Sequence, residues 1–145
     1  MRKSVKYSFA AVALFSWIYN FFITLNPDEA YYWTWSRKLD LSYFDHPPLT
    51  AYINKLFTGI FGNHQVVIKS EAVLFTVLIG LVVYKLGKVM FDRKTGEISL
   101  ILFLCLPFIH IGFMNFTVDL PFVLFWTISI YLFYHKFNNI SLFNC

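Results

Sequence analysis

The stretch ISLILFLCLPFIHIGFMNFTVDLPFVLFWTISIYLFY, residues 98–134, decides the fold. It is nearly all apolar and too long for one membrane crossing, since a hydrocarbon core of about 30 Å takes roughly 20 helical residues. Asn115, Thr117, Asp119 and Pro121 interrupt it near the middle. Polar and helix-breaking residues at that point read as the turn of a tight helical hairpin, with arms over residues 98–115 and 119–135. Pro107 and His110 fall within the first arm. Proline is ordinary in membrane helices, and a lone histidine there reads as a packed polar residue rather than a ligand.

Working towards the N-terminus, residues 66–84 form another run of spanning length, provided that Lys69 and Glu71 lie at its polar end or face other helices. Residues 7–25 form a fourth. Arg2, Lys3 and Lys6 ahead of it also suit a secretory signal peptide, but the apolar stretch is too long and has no small-x-small cleavage site. It therefore reads as an uncleaved anchor. Composition agrees: 58% of the 145 residues are hydrophobic and 14% charged, against about a quarter charged in soluble domains. The expected class is an all-α integral membrane protein of about four transmembrane helices, with short interfacial helices in a first outer loop over residues 26–65.

Net charge is +4, but the cations cluster at the ends of apolar runs, which signals topology rather than nucleic-acid binding. Lys85, Lys88, Arg93 and Lys94 crowd the loop after the second span, and Lys136 follows the fourth. With the N-terminal cluster these fall on one side. The expected orientation puts the N-terminus inside and residues 26–65 outside, in a bacterial inner membrane. Cys105 and Cys145 make neither a disulfide framework nor a metal-binding spacing.

The outer loop carries the chemistry-bearing residues. Asn26-Pro27-Asp28-Glu29 has a capping asparagine, proline at the first helical position, and acids near the positive end of the helix dipole. Glu29 stands at the capping-box spacing from Asn26. Either acid at a membrane–water boundary also suits a general base for an acceptor hydroxyl or amine. Asp45-His46-Pro47-Pro48 reads as a second helix start, with Gly62 ending the helix. It equally offers an acid and a titratable base that could contact phosphate or a metal. Asp119 is a polar turn residue or a third site acid, and Lys69 snorkels or neutralises a lipid phosphate. There is no phosphate-binding glycine loop and no nucleophile elbow.

Three pieces taken together resemble a known family: Asp28-Glu29-Ala30-Tyr31-Tyr32-Trp33, Tyr43-Phe44-Asp45-His46-Pro47-Pro48-Leu49, and Thr117-Val118-Asp119-Leu120-Pro121. They look like the N-terminal part of the multi-span glycosyltransferases related to protein O-mannosyltransferases and to the aminoarabinose transferases of lipid A. The resemblance implies the GT-C fold and inverting transfer of a sugar from a polyprenyl-phosphate or dolichyl-phosphate donor. It implies Asp28 as catalytic base with Glu29 beside it, and Asp119 as the acid of the second outer loop. It places Asp45, His46 and Lys69 at the donor phosphate, Lys69 standing where many relatives have arginine. Expected partners are that donor and the bilayer, with no nucleic acid; the acceptor and any divalent metal stay open. Relatives are several hundred residues long, so residues 1–145 are expected to be an N-terminal portion. The residues alone also suit a small non-enzymatic membrane protein that binds lipid or a partner through its aromatic loop.

Overall fold

The computed structural model describes residues 1–139, with side chains as far as Lys136. Residues 140–145 lie outside the described residues. The described residues form seven helices and no strand: α1 (Lys3–Tyr19), α2 (Pro27–Arg37), α3 (Leu49–Phe61), α4 (Gln65–Met90), α5 (Arg93–Cys105), α6 (Pro107–Met114) and α7 (Asp119–Asn139). The all-helical expectation holds. Residues 26–65 carry two helices, α2 and α3, and a short non-helical link joins α6 to α7 between Met114 and Asp119.

The long helix α4 is the centre, packing on α1, α3, α5, α6 and α7. Glycines allow the closest approaches. A Cβ on Gly80 would stand 2.9 Å from the Phe9 ring and 3.1 Å from that of Phe103, so α1, α4 and α5 meet there. About one turn further along α4, a Cβ on Gly96 of α5 would stand 2.6 Å from the Tyr84 carbonyl oxygen. The turn between α4 and α5 can therefore be as short as Phe91-Asp92, with the Asp92 carboxylate accepting from the Thr95 N–H at 2.6 Å. Ala72, Leu100, Phe113 and Phe116 are fully buried in the same core.

By length and composition, α4 is the one described helix able to cross a membrane; α5 and α6 together make a second if they are one broken span. Four spans are not established, and the differences have local causes. The helix expected over residues 7–25 ends at Tyr19, because the buried Asn20 side chain donates to the carbonyl oxygens of Phe113 (3.0 Å) and Lys69 (3.4 Å), pinning the chain where it turns. At 17 residues, α1 is roughly 25 Å long, short of the hydrocarbon thickness. The first arm of the expected hairpin bends by 72° at Pro107, which begins α6. Proline lacks the N–H to continue the ladder, and His110 Nε2 lies 2.9 Å from the Leu104 carbonyl oxygen beside the break.

Candidate active site

The start of α2 is made as the sequence indicates. Asn26 Oδ1 accepts from the Asp28 N–H at 3.1 Å, and Glu29 Oε2 accepts from the Asn26 N–H at 2.9 Å, closing a capping box. Glu29 then does more than cap. Its Oε2 also accepts from Lys69 Nζ at 2.6 Å, and its Oε1 accepts from the Phe116 N–H at 2.8 Å. Lys69 donates further to the Met114 carbonyl oxygen at 2.8 Å. Both side chains are buried, Glu29 completely and Lys69 to 1% exposure. The ion pair therefore ties α2 to α4 and to the strand of chain that leads into α7. Such a pair is tolerated away from water because further hydrogen bonds satisfy its remaining donors and acceptors. Glu71, two residues after Lys69, is also fully buried and accepts no hydrogen bond among the described residues.

Asp28 points the other way and is exposed. Helical geometry separates neighbouring positions by about 100°, so one carboxylate faces the core and the next faces outward. Asp45 is also exposed and accepts from the Tyr31 hydroxyl at 3.0 Å. That bond holds the Tyr31 phenol above its ordinary pKa, with desolvation and the Asp45 charge adding to it. His46 is half-buried, its ring edge-on to Tyr32 at 6.0 Å between centroids and tilted against Trp35 at 6.3 Å. Trp35 stacks flat on Tyr43, at 4.5 Å and 5°. Asp45 and His46 do not cap α3, whose first residue Leu49 follows Pro48 with no side-chain cap. They are held by the aromatic side chains of α2 instead.

Tyr32 marks where the acids meet. Its buried phenol is pushed above its ordinary pKa first by desolvation, then by the charges of Asp28, Asp119 and Asp45. The charges of three carboxylates, from α2, the 38–48 loop and the start of α7, thus reach one phenol. Below them lies a groove of about 500 Å³ between the beginning of α3 and one face of α7. His46, Thr50 and Asp119 stand at its head, and Phe122, Phe125 and Trp126 line its length. Asp119 also borders a smaller cavity of about 180 Å³ on the opposite side of α7, beside Thr76, Asn115 and Thr117. Among the described residues, no three His, Cys, Asp or Glu side chains are grouped to hold a metal ion.

The structure therefore brings Asp28, Asp45, His46 and Asp119 to one region, and sets Glu29 and Lys69 apart in the buried pair. Tyr32 and the α7 face are the features that sequence reasoning missed. The alternation of Tyr and Trp after Glu29 was a signal of an aromatic helix, but not of which ring would be central.

Residues 45–141, more than half of the chain, match the family described as dolichyl-phosphate-mannose-protein mannosyltransferase. Asp45, His46, Lys69 and Asp119 fall inside that match, and Asp28 and Glu29 precede it. The chain is 27% identical over 104 residues to the lipid A galacturonosyltransferase RgtD of Rhizobium johnstonii, covering 71% of this chain and 22% of that protein. It is 32% identical over 93 residues to an uncharacterized protein of Aquifex aeolicus, covering 63% of this chain and 19% of that one. It thus spans about a fifth of the length of these relatives. No solved structure matches. With the family match running through α3, the central helix α4 and the acid-bearing start of α7, this chain belongs to the dolichyl-phosphate-mannose-protein mannosyltransferase family.

Proposed function

We propose that the chain forms the N-terminal part of a membrane glycosyltransferase that moves a sugar from a polyprenyl-phosphate donor to a lipid-borne acceptor, at the outer face of a bacterial inner membrane. The observation that carries this reading is the apolar groove headed by His46 and Asp119, beside the Tyr32 phenol on which the charges of Asp28, Asp119 and Asp45 all act. A polyprenyl chain needs an apolar path, and its phosphate stays at the membrane boundary. Direct attack on the anomeric carbon needs a base on the acceptor and stabilisation of the departing phosphate.

In this reading Asp28, exposed and rigidly held by the cap beneath it, takes the acceptor's proton. His46 faces the donor phosphate, with Asp45 fixing its loop through Tyr31. Asp119 orients the acceptor or the sugar from the other side of the groove. Glu29 and Lys69 act as positioning residues, because their charges are spent on each other and on the backbone of residues 114–116. The name of the Rhizobium relative supports a lipid acceptor.

The test is sugar transfer from a labelled polyprenyl-phosphate donor in membrane vesicles, by the gene product of which this chain is part. Asp28→Asn should lower turnover by about a hundredfold or more while leaving donor binding and membrane insertion intact. Normal turnover by that variant removes Asp28 as the base.

A further inference from the structure

The end of the helical bundle opposite the acids holds an arrangement that sugar transfer does not use. Glu97, in the first turns of α5, is buried to 2% exposure, and two arginines converge on it. Arg2, just before α1, donates from its backbone N–H to Glu97 Oε1 at 2.6 Å and from its side-chain Nε to Oε2. Arg93 Nε donates to Oε1 at 3.2 Å, one helical turn away. Each guanidinium carries five N–H donors, of which Nε contributes one. Both Nη ends are left without a partner among the described residues, on side chains 61% and 59% exposed. Around them is an open hollow of about 550 Å³, lined also by Lys94 and Asp92.

Two guanidinium groups on the two oxygens of one carboxylate stand close together, and one buried anion offsets only one of their charges. Asp92 supplies a second anion, kept ionised by the Thr95 N–H that its carboxylate accepts, but the Met1 amino terminus, 4.0 Å from Glu97 Oε1, adds a cation. Lys94 adds a further one. The hollow therefore keeps a net positive charge with paired, pre-oriented donors, the geometry that suits a planar or tetrahedral oxyanion. The neighbouring Phe91 (72% exposed) and Met90 offer apolar surface beside it.

We propose that Arg2 and Arg93, templated by Glu97, bind a phosphate oxyanion, supplied by the headgroup of an anionic phospholipid in the adjoining leaflet. Anionic lipid is attracted to basic segments at a membrane surface in any case; the templated fork adds a specific seat. The inference is independent of the transfer reaction, since no residue of the acidic site takes part.

The test compares the full chain and its Arg2→Lys/Arg93→Lys variant in nanodiscs of phosphatidylcholine containing phosphatidylglycerol. Native mass spectrometry after transfer to detergent counts the lipids retained. The lysine variant keeps the net charge and an ion pair to Glu97, but each ammonium is engaged there and no planar fork remains. Retention of phosphatidylglycerol over phosphatidylcholine by the native chain, falling about tenfold in the variant, is the expected result. If millimolar inorganic phosphate displaces the lipid, the seat is for phosphate in general; if not, it is for the lipid headgroup. Equal retention of both lipids by the native chain, or unchanged retention by a variant that melts normally, overturns the proposal.

Discussion

Lys69 Nζ lies 2.6 Å from Glu29 Oε2, and the two side chains are 40 residues apart in sequence and wholly enclosed. The pair joins the short helix α2 to the central helix α4, one residue along from the exposed Asp28. Removing one partner leaves an uncompensated buried charge. Glu29→Gln and Lys69→Met should each destabilise the fold by about 3–5 kcal/mol, and the double variant by less than the two combined. Unfolding in detergent followed by circular dichroism checks this. Asp28→Asn, one residue away and exposed, should leave the transition unchanged.

The two phenols of α2 give a pH signature. Tyr31 and Tyr32 both have pKa values raised above the ordinary 10, the first by its bond to Asp45 and the second by burial among three acids. A raised folded-state pKa means that the unfolded chain loses its proton first as pH rises. Their contribution is therefore fully present below about pH 10 and is lost as pH climbs through the folded values. Stability should be flat with respect to these groups from pH 7 to 9 and fall above 10. In Tyr31→Phe/Tyr32→Phe that alkaline fall should shrink, as thermal melts across the range would show.

Two glycines set the helix spacing, and they should respond unequally. Gly96→Ala drives a Cβ to 2.6 Å from a backbone carbonyl, which cannot move without shifting α4. Gly80→Ala meets the rings of Phe9 and Phe103, side chains able to give by small rotations. Overpacking of this kind costs about 1–3 kcal/mol, with Gly96→Ala expected at or above the top of that range and Gly80→Ala near the bottom. Adding Phe9→Leu should rescue Gly80→Ala and not Gly96→Ala. Melting temperatures of these four variants and of the native chain provide the comparison.

Local rules account for what could be read from the sequence. The capping box of Asn26 and Glu29, the end of α3 at Gly62 and the turn between Met114 and Asp119 each depend on residues within one turn of each other. Lys69 and Glu71 could be expected to face other helices simply because charges in an apolar run must. That Lys69 would meet Glu29, rather than a lipid phosphate, depends on how α2 folds back onto α4. The same holds for Tyr32, which looks like any other ring in an aromatic helix until the 38–48 loop and α7 bring the charges of Asp45 and Asp119 to bear on it. The 72° bend at Pro107 is settled by tertiary packing too: proline in an apolar helix permits either a mild kink or a break, and the packing of α6 decides.

The groove is the feature on which the functional reading depends. Phe122→Ser/Trp126→Ser opens its apolar wall without touching an acid. Loss of those rings should weaken retention of a polyprenyl phosphate while leaving the fold's core, which α7 contacts through Leu120 and Leu124, intact. Binding of a fluorescent polyprenyl phosphate in detergent, alongside a melt, separates the two effects.

The most direct measurement is photolabelling of the chain in membranes with a polyprenyl phosphate carrying a photoreactive group near its phosphate end, followed by peptide mapping. Label should concentrate on residues 118–129 of the α7 segment and on His46 to Thr50, and be displaced by unmodified polyprenyl phosphate. Displaceable label on α1 or α5 instead, or label spread evenly over every lipid-facing helix, would contradict the assignment of this groove to the donor.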